Sequence, residues 1–435
     1  MKKTQHILSL IALTLLLSTL GMEVNAQTFA ISGKVSDAAT NESLPICNII
    51  VKGSTFGTVA NLNGEFSFEL DQSYANDSLI ISYIAYETKS FAVKDIAGQY
   101  QLVALEPFVT EIGEAVVRPM SPENYIRHAM SKRSSNYGSE FMAGGYFQQL
   151  VKDNGNLLTQ AEGYVQSYAP NFLDSADSQQ RLLLYQEVDN MDDLTFGKKK
   201  SEKKFKKAKK KANKEGEEFD EEKAREEARA VMIGTMSPSD VIEMDPIRNE
   251  EAFINPDRLE EYEFIYEENS SIQGREMIVI RFQSRGKVGS SDIYQRGKQS
   301  GRLYFDQATD ALASVVIDHE MVIPGALKPI LFLMGYSVSN PMIHSQVNYQ
   351  FFQGRWYPQS TQFHMQIRMV DKHFFSENEE SNLDVKMLVV FSDWNVDDAQ
   401  EIPEDKRMKY SKNMEDQLQP LSHITWDSIH RVPFK

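Results

Sequence analysis

Cysteine is almost absent from this chain, since its 435 residues include only Cys47. One thiol cannot form an intrachain disulfide and cannot supply a thiolate metal cluster. In the segment CNIIV, Cys47, Ile49 and Val51 occupy alternate positions and should share one face of a strand. We therefore predict that this thiol is buried and unreactive.

No hydrophobic run reaches the ~20 residues that a membrane-spanning helix needs. The first candidate, residues 7–20, follows two lysines and precedes the small-residue sequence VNA at residues 24–26. This is the pattern of a cleaved secretory signal. We predict a signal peptide at residues 1–26 and a mature chain from about Gln27, with a retained N-terminal anchor as the alternative.

A second apolar segment, residues 323–336 (IPGALKPILFLMGY), contains two prolines and Lys328. It is too short to span a bilayer, which favours a buried helix or a helix lying on the surface.

Positive charge is in deficit, because 46 lysines and arginines stand against 62 aspartates and glutamates, a net charge of −16. Binding of nucleic acid needs an electropositive surface. Nucleic acid is therefore excluded as a partner.

Catalytic and metal-binding motifs are missing from the sequence. It contains no His-x-x-Glu or His-Glu-x-x-His, no Gly-x-Ser-x-Gly and no phosphate-binding glycine loop. His319 and Glu320 are adjacent and would point to opposite faces of a strand, whereas His364 and His373 flank a turn. We predict no catalytic residue, no metal site, no cofactor and no enzymatic activity.

Strand patterns dominate residues 28–105, where glycine, proline and asparagine separate short alternating segments. Phe66, Phe68 and Leu70 alternate with polar residues, the period of a half-buried strand. Asn63-Gly64 predicts a tight hairpin turn. We predict seven strands in a β-sandwich, at residues 29–36, 46–52, 56–60, 64–70, 77–83, 85–94 and 99–105.

The segments ISGKVSD, NIIVKGSTFGTVANLNGEFSF and ISYIAYET resemble the carboxypeptidase regulatory-like domain, a transthyretin-like sandwich. The same module opens many SusC-type outer-membrane receptors of Gram-negative bacteria. The resemblance implies a sandwich fold and a location in the cell envelope, and it does not imply peptidase activity. Residues 123–168 also resemble envelope proteins that carry this sandwich.

A charged run occupies residues 198–229. Residues 198–214 hold eleven lysines and one acid, and residues 215–227 hold eight acids and two basic residues. So few apolar residues interrupt the run that it cannot bury a core face. We predict a solvated insertion, helical or disordered, whose two halves pair. The alternative is a basic arm that meets lipid head groups or an anionic surface polymer.

A helix is predicted from Pro122 to about Ser134, and strands are predicted at residues 146–151 and 157–168. Longer strands with alternating side chains follow from residue 258 to residue 394. The phrase GRLYFDQATDAL at residues 301–312 is similar to a hairpin of the LolA/LolB-like half-barrels, which hold lipid-like molecules. Asp306 and Asp310 should hydrogen-bond the backbone of the turn that they flank. The pattern predicts an antiparallel meander that forms a curved sheet or half-barrel.

Aromatic and methionine side chains of this region could line an apolar cavity, and packing of the sheet against a helix is the alternative. The candidates for the lining are Phe351, Trp356, Phe363, Met365, Met369 and Met387.

The sequence thus predicts a mainly β protein with two strand-built domains and a few covering helices. The predicted boundaries are a signal peptide at 1–26, the sandwich at 27–105, a linker at 106–122, a β-rich domain at 123–400 with the charged insertion at 198–229, and a C-terminal tail at 401–435.

The predicted function is binding or scaffolding in the cell envelope of a Gram-negative bacterium, in the periplasm or at the outer membrane. The predicted partners are an envelope protein or a hydrophobic, lipid-like ligand, with peripheral contact to the outer membrane. Two alternatives remain open: a pure interaction module on an outer-membrane complex, and an unrecognised hydrolase.

Overall fold

The computed structural model describes residues 28–108, 119–138, 140–174, 178–215, 219, 221, 224, 245–289, 296–373, 376–409, 413–426, 428–429 and 431–432. The predicted signal peptide lies outside these residues, as do much of the predicted linker and most of the acidic half of the charged insertion.

The N-terminal domain is the seven-stranded sandwich that the sequence predicts. Its strands and one short helix are Thr28–Asp37 (β1), Asn48–Val51 (β2), Gly57–Val59 (β3), Glu65–Asp71 (β4), Ser78–Ser82 (β5), Lys89–Ala92 (β6), Val93–Ile96 (α1) and Tyr100–Leu105 (β7). One sheet has the order β4-β1-β7 and the other the order β3-β2-β5-β6. Cys47, Ile49 and Val51 are buried between the sheets, as predicted, and burial raises the pKa of the Cys47 thiol.

The Asn63-Gly64 pair does not form the expected hairpin, because β3 and β4 belong to opposite sheets. The side chain of Asn61 organises this turn by accepting hydrogen bonds from the backbone N–H groups of Asn63 and Glu65, each at 2.9 Å. Gly64 has φ +74°, and a Cβ atom at this position would lie 2.4 Å from the carbonyl oxygen of Val35. Glycine is required here because the chain crosses between sheets against another backbone.

Two short helices, Pro122–Ser131 (α2) and Arg133–Asn136 (α3), precede the large sheet. The hydroxyl of Ser121 accepts a hydrogen bond from the backbone N–H of Asn124, and Pro122 occupies the first helical position. Tyr125, Ile126 and Ala129 form the buried face of α2.

The second domain is built on one large antiparallel sheet. Its strands are Phe141–Asp153 (β8), Asn156–Ala169 (β9), Gln179–Asp189 (β10), Tyr262–Tyr266 (β11), Ser270–Ile272 (β12), Arg275–Ser284 (β13), Gly297–Asp306 (β14), Leu312–Met321 (β15), Tyr336–Val338 (β16), Met342–Phe352 (β17), Arg355–Asp371 (β18) and Glu379–Asn395 (β19). Ten of them follow the order β10-β9-β8-β19-β18-β17-β15-β14-β13-β11, while β12 pairs with β13 and β16 with β18. The predicted meander is therefore correct, although the sequence did not indicate β10, β12 or β16.

One face of this sheet is filled by other parts of the chain. Side chains such as Phe147, Phe363 and Val389 point to this side, where they pack with α2 and with residues 245–259. We call this side the core face. Because period 2 alternates side chains across a strand, the neighbouring residues Gln148, Gln362 and Leu388 lie on the opposite side, which we call the outer face.

The sandwich is seated on the outer face. The side-chain amide of Gln350 donates to the carbonyl of Ser54 at 2.9 Å, and the backbone N–H of Asp393 donates to the carbonyl of Thr55 at 3.3 Å. Val59 packs in one cluster with Val390. The N-terminal domain thus covers part of the outer face.

Two further helices lie at the surface, Lys198–Glu215 (α4) and Leu327–Leu333 (α5). The basic half of the charged run is therefore helical, and Lys209 lies 3.7 Å from Glu221 of the acidic half. Among the described residues, no helix is long and apolar enough to cross a membrane.

The predicted C-terminal tail is packed where the structure describes it. The backbone N–H groups of Met408 and Gln419 donate to the carbonyls of Gln180 and Leu182 on β10. Val432 is buried beside Tyr146 on the outer face.

Candidate functional site

Rows of polar and basic side chains cross the outer face of the sheet. One row runs Glu162, Gln148, Leu388, Gln362 and Gln346 across strands β9, β8, β19, β18 and β17. The next row runs Gln160, Leu150, Lys386, His364 and His344 across the same strands. Polar groups are tolerated on this face because much of it borders space and solvent and not the core.

A cleft of about 390 Å³ opens between these rows and the sandwich. Strands β8, β9, β18 and β19 form its floor, and Ile46 and Leu62 of the sandwich form the opposite wall. The lining residues are Ile46, Leu62, Gln148, Leu150, Lys152, Gly155, Leu157, Gln160, Gln362, Lys386, Met387 and Leu388.

The lining combines apolar walls with a few polar groups. Leu150, Leu157 and Leu388 supply apolar surface, and the side-chain carbonyl oxygen of Gln148 is buried without a hydrogen-bond partner among the described residues. Lys152 and Lys386 are half-buried, and neither ammonium lies within ion-pair distance of a described carboxylate. Pockets of this composition bind small molecules that are mostly apolar and carry one polar or acidic group.

Ile46 is held in an unusual backbone conformation at the edge of the cleft. Its φ of +56° is in the left-handed region, which a β-branched residue rarely adopts. Its side chain is nevertheless buried in the cluster that contains Leu388 and Val390. Contact with the large domain therefore stabilises a strained residue of the cleft wall, as is common at binding sites.

Next to the cleft on the outer face, the buried carboxylate of Glu162 accepts several hydrogen bonds. It accepts from the hydroxyl of Tyr146 at 2.7 Å, from the side-chain amide of Gln186 at 2.5 Å and from the guanidinium Nε of Arg431 at 3.1 Å. Burial and the neighbouring charge of Glu162 raise the pKa of Tyr146. This network ties the C-terminal segment to the outer face and leaves no acid free for proton transfer at this position.

The six predicted lining residues do not gather around one space. Phe351, Trp356 and Phe363 pack in the core-face cluster, where the indole N–H of Trp356 donates to the hydroxyl of Thr309 at 3.1 Å. Met369 packs in a second cluster, and Met365 contacts both clusters. Met387 also belongs to the core-face cluster, and it alone of the six appears in the lining of the cleft.

Three potential metal ligands meet where the β18–β19 hairpin begins. The Nε2 atom of His373 lies 3.8 Å from a carboxylate oxygen of Asp371 and 3.4 Å from one of Glu379. The ammonium group of Lys200 lies 2.6 Å from the other oxygen of Asp371, and the backbone N–H of Lys199 donates to Glu379. The two lysines therefore anchor the start of α4 to this cluster. The Nε2 atom of His373 and the Asp371 oxygen nearest to it are buried and have no hydrogen-bond partner among the described residues.

The remaining candidates from the sequence are in separate places. The Nε2 atom of His364 lies 2.9 Å from a carboxylate oxygen of Asp384, far along β18 from His373. Asp306 accepts hydrogen bonds from the backbone N–H and hydroxyl of Thr309, at 2.9 and 2.7 Å, as expected for an aspartate at a turn. The carboxylate of Asp310 differs from the expectation, because it accepts from the side chains of Tyr125 and Lys132.

Apart from Met387, the sequence did not indicate the residues of the cleft. Gln148, Gln160 and Lys386 read as ordinary solvent-facing positions of half-buried strands. The only available signal was that three glutamines and two lysines alternate with core residues on neighbouring strands, and it could not reveal that the sandwich covers them.

The architecture defines the protein as a transthyretin-like sandwich placed on a large antiparallel sheet. Residues 31–117 match the family model described as the CarboxypepD_reg-like domain, which confirms the assignment of the sandwich. That match spans a minor part of the chain and does not classify the large domain. No curated protein matches this chain.

Two solved structures give loose similarity. A LolA superfamily protein from Nitrosomonas europaea is 11% identical, with 65% of this chain and 97% of that chain covered and a TM-score of 0.22. A protein of unknown function from Bacteroides fragilis, described as membrane-associated, is 10% identical, with 84% and 98% covered and a TM-score of 0.16. Superpositions this loose do not establish a shared fold.

Proposed function

We propose that this protein is an exported binding protein of the cell envelope and that it holds a lipid-like, acidic amphiphile in the cleft between its domains. The observation that carries the proposal is a space of about 390 Å³ that joins leucine walls to two lysines without described carboxylate partners. An acyl chain suits the leucines, and a phosphate or carboxylate head suits the ammonium groups.

The outer-face cleft is a better position for the ligand than the core face. In the described structure, Phe147, Phe363 and Val389 are already packed against helix α2 and residues 245–259. A ligand on that side would have to displace a close-packed core, which is costly. Entry between sandwich and sheet displaces only the solvent of the cleft.

The envelope location and the absence of catalysis belong to the same proposal. The secretory pattern of residues 1–26 and the sandwich of residues 31–117 support export. The sequence offers no nucleophile and base at a catalytic spacing, which supports binding without turnover. A screen with peptidase, esterase and glycosidase substrates tests the absence of catalysis. Turnover that depends on a site in this protein would contradict it and favour the hydrolase alternative.

The test is recovery of a ligand that depends on the cleft. Protein purified from the envelope is analysed by native mass spectrometry and its extract by lipid mass spectrometry. The variant K152Q/K386Q should lose acidic lipid at least tenfold, because it keeps the shape of the cleft and removes the charges that bind the head group. The control K298Q, an exposed lysine of β14 outside the cleft, should retain the ligand. Equal lipid in parent and K152Q/K386Q contradicts the assignment.

A second candidate function is protein interaction at the edge of the sandwich. Strand β7 is an edge strand, and its Tyr100 and Leu102 are exposed, Leu102 by 81%. Exposed apolar side chains on a sheet edge favour strand addition by a partner. If Y100S/L102S abolishes envelope crosslinks while the cleft variant keeps them, this function replaces the ligand-binding one.

A further inference from the structure

Helix α5 exposes an unusual amount of apolar surface. Phe332 is 75% exposed and Leu333 84% exposed, and Leu327, Ile330 and Met334 are exposed as well. Leu331 is partly buried against the cluster of Met369 and Leu383, so the helix is attached to the protein while its other side chains face outward. A contiguous apolar patch of this kind marks an interaction site.

Helix α4 supplies positive charge beside this patch. It holds eleven lysines and two acids over Lys198–Glu215. Nearly all of these lysines are exposed, and five of them lie within 4.0 Å of a described carboxylate: Lys198, Lys199, Lys200, Lys206 and Lys209. With eleven lysines against two acids of its own, the helix keeps a net positive charge at the surface.

Lys200 joins the two helices. Its ammonium group donates to the carbonyl of Met334 at 2.7 Å, pairs with Asp371 at 2.6 Å and lies 4.0 Å from the ring centre of Tyr336. The ammonium group of Lys200, paired with the buried carboxylate of Asp371, therefore holds the start of α4 beside the end of α5. We call helix α5 with Met334, together with helix α4, the basic–apolar surface.

We propose that the basic–apolar surface docks on an anionic lipid bilayer, with the side chains of α5 entering the acyl boundary and the lysines of α4 lying among acidic head groups. An apolar insertion or a cationic segment alone gives marginal, reversible binding, whereas the two together give stable attachment. A protein groove for a helix of two turns would not need eleven adjacent lysines. The charge complement therefore favours a membrane over a protein partner.

The position of the surface connects it to the cleft. The end of the β8–β9 hairpin contributes Lys152 and Leu157 to the cleft, and the adjacent Val151 and Leu158 belong to the cluster that holds Leu331 of α5. The cleft and the basic–apolar surface thus lie at the same end of the sheet, the cleft on the outer face and the packing site of Leu331 on the core face. The connection between docking and the cleft rests on the proposed function, whereas the docking proposal depends only on the basic–apolar surface.

The test is cosedimentation of the purified full-length protein with phosphatidylcholine vesicles, with and without phosphatidylglycerol. The parent should bind the anionic vesicles and lose binding as salt rises. F332S/L333S should bind at least tenfold less, and K203Q/K207Q/K210Q should bind less with a weaker salt dependence. These positions are exposed, so the fold should persist, which circular dichroism checks.

Matched controls separate this surface from unspecific stickiness. L102S removes an equally exposed leucine from the sandwich, and K52Q/K94Q/K287Q removes three exposed lysines elsewhere; both should bind as the parent does. All variants share the N-terminus, so any contribution of that segment cancels. The proposal is overturned if the parent ignores anionic vesicles, which would favour a protein partner, or if F332S/L333S binds undiminished. Ligand loss in K152Q/K386Q with intact vesicle binding would separate the two proposals.

Discussion

The carboxyl group of Asp245 is enclosed inside the large domain. It accepts hydrogen bonds from the hydroxyl of Tyr349 and, at 2.9 Å, from the backbone N–H of Ile247. Burial raises the pKa of Asp245 above its usual value of 3.8, and these hydrogen bonds oppose that shift without cancelling it. The folded protein therefore keeps this proton to a higher pH than the unfolded chain does.

It follows that Asp245 costs stability at neutral pH. As the pH rises above 3.8, the unfolded chain releases the proton first, so the free energy of unfolding falls until the folded group is ionised as well. D245N keeps an acceptor oxygen and should remove this fall, which urea unfolding at a series of pH values measures. D71N is the control, because hydrogen bonds from Ser73 lower the pKa of Asp71. Ionisation of Asp71 therefore raises the free energy of unfolding as the pH rises, the opposite of the effect of Asp245. An unchanged pH slope in D245N contradicts the argument.

Among the elements, the turn between β14 and β15 connects the first helices to the sheet. Asp310 has φ +58° and accepts hydrogen bonds from the hydroxyl of Tyr125 at 2.8 Å and from the ammonium of Lys132 at 2.6 Å. The side-chain amide of Asn136 donates to the carbonyl of Thr309 at 3.0 Å. Helices α2 and α3 are thus fixed to the sheet by one five-residue turn.

D310A should therefore destabilise the protein by about 2–3 kcal/mol, because it removes two hydrogen bonds and strains a left-handed position. Burial raises the pKa of Asp310, but its bonds to Lys132 and Tyr125 outweigh that and leave the pKa lowered. The contribution is consequently present above pH 3.8 and is lost as the pH falls through the lowered pKa. Thermal unfolding at neutral and acid pH tests this. Asparagine tolerates the left-handed backbone angle, so D310N should lose less stability than D310A. Equal losses of stability in the two variants would contradict a role for the backbone angle.

For the whole molecule, the contact between the two domains determines how it unfolds. Ile46 and Val59 of the sandwich share a cluster with Leu388 and Val390 of the sheet. Because this cluster joins side chains of both domains, we expect the parent to unfold in a single transition.

V390D should divide this transition in two. The aspartate weakens the domain contact by about 2 kcal/mol or more, since a buried carboxylate without a partner is costly, and it becomes solvated once the sandwich separates. Scanning calorimetry on V390D should then show two peaks, whereas the surface control L102D should keep one. A single, merely shifted peak would mean that the domains are not coupled through this cluster.

Much of the fold could be predicted from local patterns. Phe66, Phe68 and Leu70 lie where their alternation indicates, and so do the longer strands of the second domain. Strand β10 was missed because Leu182, Leu183 and Leu184 are consecutive and a bulge shifts the register between Leu182 and Leu184, which hides the period of two.

The cleft could not be predicted, because it depends on contacts distant in sequence. The alternation of Phe363 and Met387 identifies an apolar face of the sheet, but only the tertiary structure shows that helix α2 and residues 245–259 fill it. The lysines and glutamines line a cleft because Ile46 and Leu62 of the sandwich lie opposite them. These two residues are about a hundred residues or more away along the chain.

Strands β1 and β7, the first and last of the sandwich, run side by side in parallel from Ser32 opposite Tyr100 to Asp37 opposite Leu105. Tension applied to the two ends of this domain would load all of their hydrogen bonds in shear at the same moment, so they could not be unzipped one after another. The parallel pairing of its first and last strands therefore gives the sandwich resistance to a force that pulls its two ends apart.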